Sequence, residues 1–497
     1  MRKYSLIICF YLGITNLEAE VLKVATSGNI STLLNPFCCL VQGIINPHAM
    51  IHDTLFSIST DGQLNKELAL SAEPLSKNIW IIKLRPNVNY SNGRSFDADA
   101  VIKNINYLKS AEAQKFVMSG EARTIKNIRS LDSLTLEVET YEPDVLLDRR
   151  FSTILLPEPW LYEELGPENF NKNPVGTGSF KIENWNLNSQ RPVLIKNQNS
   201  WRPSVEVSRV EIRVVKDATS LVQALMSEIV DLGTNFGITE LELLSRSEYN
   251  IITRPGGIIA ALALSNLNPP FKDVRVRQAI NYAVDKESIA KIIMAGITKP
   301  SGQPGILGMS GYNPEIKPYP YNPKRAKHLL NEAGYQNGFN FKAEVLITGG
   351  VTEAASMYQK IAQDLSNVGV TMNVQPLQGP QWISKYFSGN WGQADSISAT
   401  WNSAAYWDVI RAIEIFSCKK PGAFFCIPEL MNEIESTHSM FSKEERSVAL
   451  KELSKKMHDL APSLFLLEIV DIIALKKKFY NTKFRHKQLA VDKLRVR

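Results

Sequence analysis

The sequence predicts an α/β fold divided into lobes with largely parallel sheets, and three observations support this prediction. Strand and helix patterns alternate along the 497 residues without an internal repeat of fixed period. Residues 208–215 alternate apolar and charged side chains as a strand does, and a helix capped by Asp217 and a short strand at 230–232 follow. The length allows about two to four domains of roughly 100–200 residues each.

The stretch 269–285, PPFKDVRVRQAINYAVD, combines a turn with the starts of two helices. Its two prolines turn the chain, and Asp273 then offers a carboxylate to the free N–H groups of a helix that begins at Val274. Four residues form the apolar face of this helix: Val276, Ile280, Ala283 and Val284. Four others are expected on its remaining sides: Arg275, Gln278, Asn281 and Tyr282. We expect the arginines of this helix at its surface.

Three later segments carry helix signals. Asp285 is expected to cap a second helix with an inner face of three isoleucines, which Gly296 ends: Ile289, Ile292 and Ile293. Asn322 and the proline after it start a further helix. Ser442 and Glu445 form a capping box for another.

Two segments need a choice between interpretations. Residues 173–180, NPVGTGSF, are rich in glycine, but no helix pattern follows, so we expect a backbone turn that enters a strand rather than a phosphate-binding loop. Residues 464–475 are apolar except for Glu468 and Asp471, which favours a buried strand over a membrane span.

Three of these motifs together resemble a known family. The segments 173–180, 269–285 and 321–339, the last reading YNPKRAKHLLNEAGYQNGF, are similar to those of the solute-binding proteins of peptide and nickel ABC importers, the extracellular solute-binding family 5. The motifs occur in family order over nearly the whole chain. The resemblance implies a fold like the type II periplasmic binding proteins, with two lobes, a hinge and an inserted extra subdomain.

The resemblance also implies domain boundaries. Lobe I would comprise residues 20–53, 175–264 and 476–497, and lobe II would comprise residues 265–475. The inserted subdomain would comprise residues 54–174. The turn at 173–180 would then lie near a crossover between lobes, which suits a hinge better than a catalytic role.

The N-terminus has the pattern of a secretory signal peptide. A positive start at Arg2 and Lys3 precedes a short apolar run, and Ala19 offers a small residue before cleavage. We therefore expect residues 1–19 to be removed and the protein to reach the periplasm. Cys9 lies inside the apolar run, where it is a poor lipidation site, so no lipid anchor is expected.

Four cysteines remain after such cleavage: Cys38, Cys39, Cys418 and Cys426. In an oxidising compartment three pairings are possible, and we predict a Cys418–Cys426 bridge. It would close a loop of about nine residues at a gain of roughly 2–3 kcal/mol. Cys38 and Cys39 are adjacent, which makes a bond between them awkward, and two small buried residues are an equal alternative.

Composition and motifs exclude several functions. The net charge of +6 is spread over 56 basic and 50 acidic residues without a long basic run, so no nucleic-acid partner is expected. The sequence contains no HExxH, GxSxG, CxxC or Walker pattern, so we predict neither an enzyme nor a bound cofactor. His48 and His52 have the spacing of metal ligands on a helix, but only Cys38 or Cys39 offers a third ligand, and partly exposed histidines are the alternative.

The candidate ligand site is the segment 391–408, WGQADSISATWNSAAYWD. Three tryptophans and a tyrosine among small and hydroxylated residues suit either a cleft wall or a buried aromatic cluster. Peptide-binding members of the resembled family have a tryptophan here, followed three residues later by an aspartate that pairs with the α-amino group of the peptide. Four residues are therefore predicted to bind ligand: Trp401, Ala404, Tyr406 and Asp408.

Because alanine occupies the aspartate position, the sequence does not identify the ligand. Ala404 cannot pair with an ammonium group, and Asp408 could replace the aspartate only in a rearranged loop. We predict a monomeric periplasmic receptor that binds a small solute, with peptides as the first candidate, and delivers it to an inner-membrane ABC permease. Blocked peptides, opines, sugars, a metal chelate or haem remain open as ligands, and an exported hydrolase is the alternative from another class.

Overall fold

The computed structural model describes eleven ranges of the chain: residues 20–27, 35–38, 44–186, 191–203, 205–215, 217–234, 236–244, 248–347, 353–420, 422–485 and 487–497. The predicted signal peptide and Cys39 lie outside these ranges. No helix in the ranges is both long and apolar enough to cross a bilayer.

The strands in the described ranges are β1 (Glu20–Ser27), β2 (Phe56–Ile58), β3 (Leu64–Lys66), β4 (Ala69–Pro74), β5 (Ile79–Leu84), β6 (Ile125–Asp132), β7 (Thr135–Thr140), β8 (Phe180–Asn186), β9 (Arg191–Lys196), β10 (Val207–Val215), β11 (Leu232–Thr234), β12 (Tyr249–Leu264), β13 (Phe339–Leu346), β14 (Val370–Leu377), β15 (Ser396–Asn402), β16 (Ser463–Lys476), β17 (Phe479–Tyr480), β18 (Phe484–Arg485), β19 (Gln488–Leu489) and β20 (Arg495–Val496).

The α-helices in the same ranges are α1 (Pro47–Ile51), α2 (Ala98–Lys109), α3 (Ser119–Ala122), α4 (Leu147–Arg150), α5 (Pro159–Phe170), α6 (Ala218–Met226), α7 (Ile238–Leu244), α8 (Val274–Ala283), α9 (Lys286–Ser288), α10 (Pro323–Glu332), α11 (Ala354–Ser366), α12 (Gly379–Ser388), α13 (Ile410–Ile415), α14 (Met431–Ser436) and α15 (Lys443–Leu460). A π-helical turn, Ile289–Ile293, follows α9.

A ten-stranded sheet forms the centre of the molecule, in the order β14-β13-β15-β12-β16-β11-β1-β10-β9-β8. Its two long central strands, β12 and β16, run antiparallel to each other. Residues 249–255 of β12 pair with 470–476 of β16, and residues 259–263 pair with 463–468, with a bulge between the two parts. The predicted α/β fold is confirmed, although β12 and β16 make the sheet mixed rather than largely parallel.

Segments that are distant in sequence share one core around β1 and β10. This core combines Leu22 and Val24 of β1, Val210 of β10, and two residues near the C-terminus, Leu489 and Leu494. The pattern agrees with a lobe made from the beginning, the middle and the end of the chain. The domain boundaries themselves stay a prediction.

A largely buried group of charges, which we call the lobe I network, ties these segments to one another and to Glu67 of the predicted subdomain. Its members are Asp53, Glu67, Arg202, Arg485 and Asp492. The Arg202 guanidinium contacts a carboxylate oxygen of Asp53 at 2.5 Å and one of Glu67 at 2.6 Å. The Arg485 guanidinium reaches Glu67 at 2.9 Å and Asp492 at 2.6 Å. Each carboxylate therefore meets a cation, which buried charges require.

A second sheet, β4-β5-β7-β6, belongs to the segment predicted as an inserted subdomain. Its core contains Trp80 and Ile82 of β5, and the α2 side chains Val101 and Ile105 pack on it. Asp97 caps α2 by accepting a hydrogen bond from the Ala100 N–H at 3.0 Å. Local alternation and capping thus account for this part.

The helix α8 begins at Val274 with Asp273 as its cap, as predicted. Its apolar face is buried, but the prediction of surface arginines is wrong for Arg277. This guanidinium is buried, and it donates to the carbonyls of Leu460 at 2.7 Å and Phe271 at 2.7 Å. The carbonyls at the end of α15 lack helix partners, and Arg277 satisfies them.

Two neighbouring predictions also need correction. Asn281 is buried because its amide donates to the carbonyl of Ser463 at 3.0 Å, which joins α8 to β16. Ile292 is 74% exposed rather than part of an inner face. The helix continues as a π-helical turn, in which the Met294 N–H bonds to the Ile289 carbonyl, and the wider turn rotates Ile292 outward.

The predicted bridge between Cys418 and Cys426 is present. Cys38 is also disulfide-bonded. The segment 173–180 is a backbone turn that enters β8, as predicted. A Cβ on Gly178 would lie 2.3 Å from the Met50 carbonyl oxygen, so this turn packs tightly against α1 rather than against the β12–β16 crossing.

Candidate ligand crevice

Strand directions make the middle of the β12–β16 crossing the candidate position of a ligand crevice. On one side β1, β10 and β11 are parallel, and β11 runs antiparallel to β16. On the other side β13, β14 and β15 are parallel, and β15 runs antiparallel to β12. The carboxyl ends of the two sets of parallel strands therefore face each other. Ligands of open α/β sheets bind outside such strand ends.

The bulge in β12 lies at this crossing. Gly257 has a φ of +71°, a conformation that L side chains rarely adopt. A Cβ there would lie 2.8 Å from the Met309 methyl carbon and 2.9 Å from the Ala404 Cβ. Glycine thus lets the loop after β15 approach the crossing strand closely.

Trp401, which was predicted to bind ligand, lies inside the core beside the crevice. Its ring is fully buried and stacks on Phe416 with 4.3 Å between centroids. Its indole N–H donates to the Ser463 hydroxyl at 3.0 Å. The ring therefore presents no free face to a ligand in this structure.

Asp408 is also engaged within the protein. One carboxylate oxygen is bonded by the Arg446 guanidinium, and the other accepts from the Ile410 N–H at 2.9 Å at the start of α13. The carboxylate is almost completely buried. Asp408 therefore does not offer an available charge in place of the side chain that Ala404 lacks.

Tyr406 lies in a cluster that we call the cross-lobe network: Glu121, Asp144, Arg150, Tyr406, Glu414 and His438. The Tyr406 hydroxyl donates to a carboxylate oxygen of Glu121 and accepts from the Arg150 Nη1–H at 2.9 Å. Arg149 adds a hydrogen bond to the Tyr406 carbonyl. The first three members of the network lie in the predicted subdomain, and the last three lie in predicted lobe II.

The remaining contacts of this network are ionic. The Arg150 Nε–H donates to Asp144 at 2.6 Å, and one His438 ring nitrogen lies 2.8 Å from a Glu414 carboxylate oxygen. Burial alone would raise the pKa of Glu414, but the hydrogen bond and charge of His438 lower it to about 2. Burial would lower the pKa of His438, but hydrogen bonds to Asp144 and Glu414 outweigh it and raise the pKa.

The profile of one family, described as bacterial extracellular solute-binding proteins, family 5 Middle, matches residues 63–423. The chain belongs to this family. Family 5 proteins are the solute-binding components of ABC importers rather than enzymes, so the prediction that the chain is not an enzyme agrees with its family.

Relatives of this family 5 chain differ in what their names say they bind. The nickel-binding periplasmic protein of Escherichia coli (strain K12) is 23% identical over 484 residues, 89% of this chain and 90% of that protein. Heme-binding protein A of Haemophilus influenzae is 32% identical over 210 residues, 42% of this chain and 38% of that protein. That second match therefore spans less than two thirds of the relative.

Solved structures confirm the fold. The periplasmic binding protein DppA from Helicobacter pylori, in complex with the peptide STSA, matches with a TM-score of 0.80 and 22% identity. The match covers 96% of this chain and 98% of that chain. The family 5 fold predicted from the three motifs is thus shown, while the ligand is not.

Sequence reasoning missed one charge at the crossing of this family 5 protein. Glu468 of β16 lies opposite Ile259 of β12, and Trp401 of β15 lies opposite Ile259 on the other side. Glu468 is only partly buried, and no hydrogen bond or ion pair engages its carboxylate in the described ranges. Burial raises its pKa, against the opposing charge of Lys299. The signal in the sequence was a charge inside an apolar run.

The two histidines with metal spacing are buried rather than partly exposed. Their rings stack with 5.6 Å between centroids, and burial lowers the pKa of His48 to about 3 and that of His52 well below its usual range. No group of three or more metal-ligating side chains occurs in the described ranges. Cys38, considered as a third ligand, is disulfide-bonded.

Proposed function

We propose that this protein is a periplasmic receptor that closes two lobes around a small solute, with peptides as the principal ligand class, and presents it to an inner-membrane ABC permease. The observation that carries the proposal is the pair of facing strand ends at the crossing of β12 and β16. Two crossing strands that connect two half-sheets form a hinge, and a ligand that contacts both sides stabilises the closed state.

Contacts on both sides of the crossing support a closed arrangement. Tyr406 contacts Glu121 and Arg150 across the predicted boundary between lobe II and the subdomain. On the other side, a Cβ on Gly237 would lie 3.4 Å from a carboxylate oxygen of Glu353. In this arrangement the ligand would lie between the facing strand ends, beside the loop that contains Ala404. Trp401 and Asp408 would then affect the ligand indirectly, by supporting the residues that contact it.

The first test is small-angle scattering of the purified protein with and without a library of tetrapeptides, together with native mass spectrometry. We expect the radius of gyration to fall when a peptide binds at one equivalent. Absence of compaction with any bound peptide would contradict the hinge mechanism. A monomer mass is expected in both states.

A hinge variant sharpens this test. Gly257→Ala adds a methyl group where the crossing strand touches Met309 and Ala404, so we expect weaker binding and incomplete compaction. Gly308→Ala is the matched control, because Gly308 also has a positive φ but no atom lies within 4 Å of the added carbon. Equal binding by both variants would show that the close approach at Gly257 has no role in closing.

The names of two relatives favour a second candidate ligand class, haem or a nickel chelate. Absorbance and metal analysis of the protein as purified, followed by titration with haem and with nickel–histidine, separate this class from peptides. If either compound binds saturably and the peptide library does not compete with it, haem or a nickel chelate would replace peptides as the proposed ligand class.

A further inference from the structure

Glu468 differs from the other carboxylates around the crossing because it lacks a partner. Asp471, on the same strand, pairs with Arg254 at 3.1 Å. Asp408 pairs with Arg446, and Glu344 of β13 pairs with Lys385 at 2.7 Å. In the described ranges no cation lies within ion-pair distance of the Glu468 carboxylate, and no donor bonds to it.

Glu468 lies at the edge of a buried face of the sheet, at the middle of the crossing. Directly opposed residues on neighbouring strands place their side chains on the same face, so Glu468, Ile259 and Trp401 share one face. Two strand spacings separate Glu468 from Trp401, about 10 Å. The centre of β16 around Glu468 is partly exposed, whereas both ends of the strand are mostly buried. Glu468 therefore lies where β16 is partly exposed, at the crossing itself.

A second polar group lies near this carboxylate. Tyr312 is partly buried, and burial together with the nearby charge of Glu468 raises the pKa of its hydroxyl. The hydroxyl has no hydrogen bond within the described part of the chain. A carboxylate and a hydroxyl that are partly withdrawn from water and unbonded offer an acceptor site for a group with several N–H donors, such as a primary ammonium.

We propose that Glu468 is the anion that binds the ammonium group of the ligand, with the Tyr312 hydroxyl as a further acceptor. This inference rests on the proposed function and deepens it, since peptides with a free amino terminus would bind more tightly than blocked ones. Without ligand the carboxylate loses water and gains no partner, which destabilises the protein. With ligand it gains a charge-assisted hydrogen bond in a partly dry site.

The proposal predicts that one substitution raises the stability of the ligand-free protein and lowers its affinity for the ligand. Glu468→Gln preserves the shape of the side chain and removes the charge. We expect a higher melting temperature of the ligand-free protein at pH 7.5, because an unpaired and partly buried charge is lost. We also expect the affinity for free-amine peptides to fall about tenfold or more. A purely structural residue would not produce both changes.

The experiment compares two probes, a library of tetrapeptides with free amino termini and the same library after N-acetylation, by calorimetry at pH 7.5. The matched control is Glu452→Gln, which removes the same charge from an exposed position on α15. We expect Glu468→Gln to weaken only the free-amine binding and Glu452→Gln to change neither. The wild-type protein should also lose free-amine affinity as the pH falls through the raised pKa of Glu468.

The outcomes separate this proposal from the proposed function. If the wild-type protein binds both libraries and Glu468→Gln does not discriminate between them, the role of Glu468 is wrong while the peptide receptor stands. If the wild-type protein binds neither library, both the peptide assignment and the ammonium site are wrong. A fall in the melting temperature of ligand-free Glu468→Gln would show that the carboxylate has a stabilising partner, which also overturns the proposal.

Discussion

The lobe I network and the cross-lobe network are both buried and both centred on arginine, but they connect different parts of the molecule. Arg202 joins a segment of predicted lobe I, at Asp53, to the predicted subdomain, at Glu67, and we expect these contacts to persist whether the crevice is open or closed. Arg150 and Tyr406 meet across the predicted boundary between the subdomain and lobe II, which separates in the proposed opening motion. In that mechanism the same chemistry stabilises the fold in one place and the closed state in the other.

The largest expected effect concerns the lobe I network. Arg202→Met leaves two buried carboxylates, Asp53 and Glu67, without one of their cations, and we expect the free energy of unfolding to fall by about 3–5 kcal/mol. Urea denaturation measures this loss. Arg129→Met is the control, since its ion pair with Glu137 is exposed and its loss should cost about 1 kcal/mol or less. Equal losses would contradict the structural role of Arg202.

The next effect concerns the cross-lobe network. Tyr406→Phe removes the hydroxyl that bonds to Glu121 and Arg150, and in the open state water can satisfy these groups. We therefore expect bound peptide to dissociate about tenfold faster, because the hydrogen bonds to charged groups exist only in the closed state. The melting temperature of the ligand-free protein should change little. Stopped-flow release measures the rate.

The control for that variant is Tyr319→Phe. The Tyr319 hydroxyl donates to the His458 carbonyl at 3.0 Å, and both residues lie within predicted lobe II. This variant should lower stability slightly and leave the release rate unchanged. If Tyr319→Phe accelerates release as much as Tyr406→Phe, the cross-lobe network has no special connection to closing.

The elements of the fold could be predicted because their signals are local. Asp273, Asp97 and Ser442 each cap a helix within three residues of themselves, and alternation predicts the buried face of β5. The errors have distant causes. Arg277 is buried because carbonyls at the end of α15, about 180 residues away in sequence, need donors.

The site could be predicted only in part for the same reason. The segment around Trp401 stays a predicted ligand site, and its strand β15 pairs with β12 next to the crossing. Its contacts depend on partners that no local pattern reveals, such as Ser463 for Trp401 and Arg446 for Asp408. The position of Glu468 depends on the register of β12 against β16, which is a property of the assembled sheet.

The smallest expected effect concerns pH, and it tests whether charge as well as contact closes the crevice. His438 faces Asp144 and Glu414, with Arg150 and Lys419 beside these carboxylates, and its pKa is raised above 6.5. The protonated ring stabilises the closed state fully below pH 6.5, and this contribution is lost as the pH rises through the raised pKa.

The release rate of an N-acetylated peptide, which avoids the Glu468 site, should therefore rise as the pH passes the pKa of His438. The increase should be up to about tenfold for each unit by which the closed state raises that pKa. His438→Gln should release quickly at every pH. His458→Gln, at a histidine whose ring bonds to the Gly302 carbonyl within predicted lobe II, should keep the pH dependence of the wild-type protein. If the release rate of the wild-type protein does not change with pH, the cross-lobe network holds the lobes together through its neutral hydrogen bonds and Arg150, without a contribution from the charge of His438.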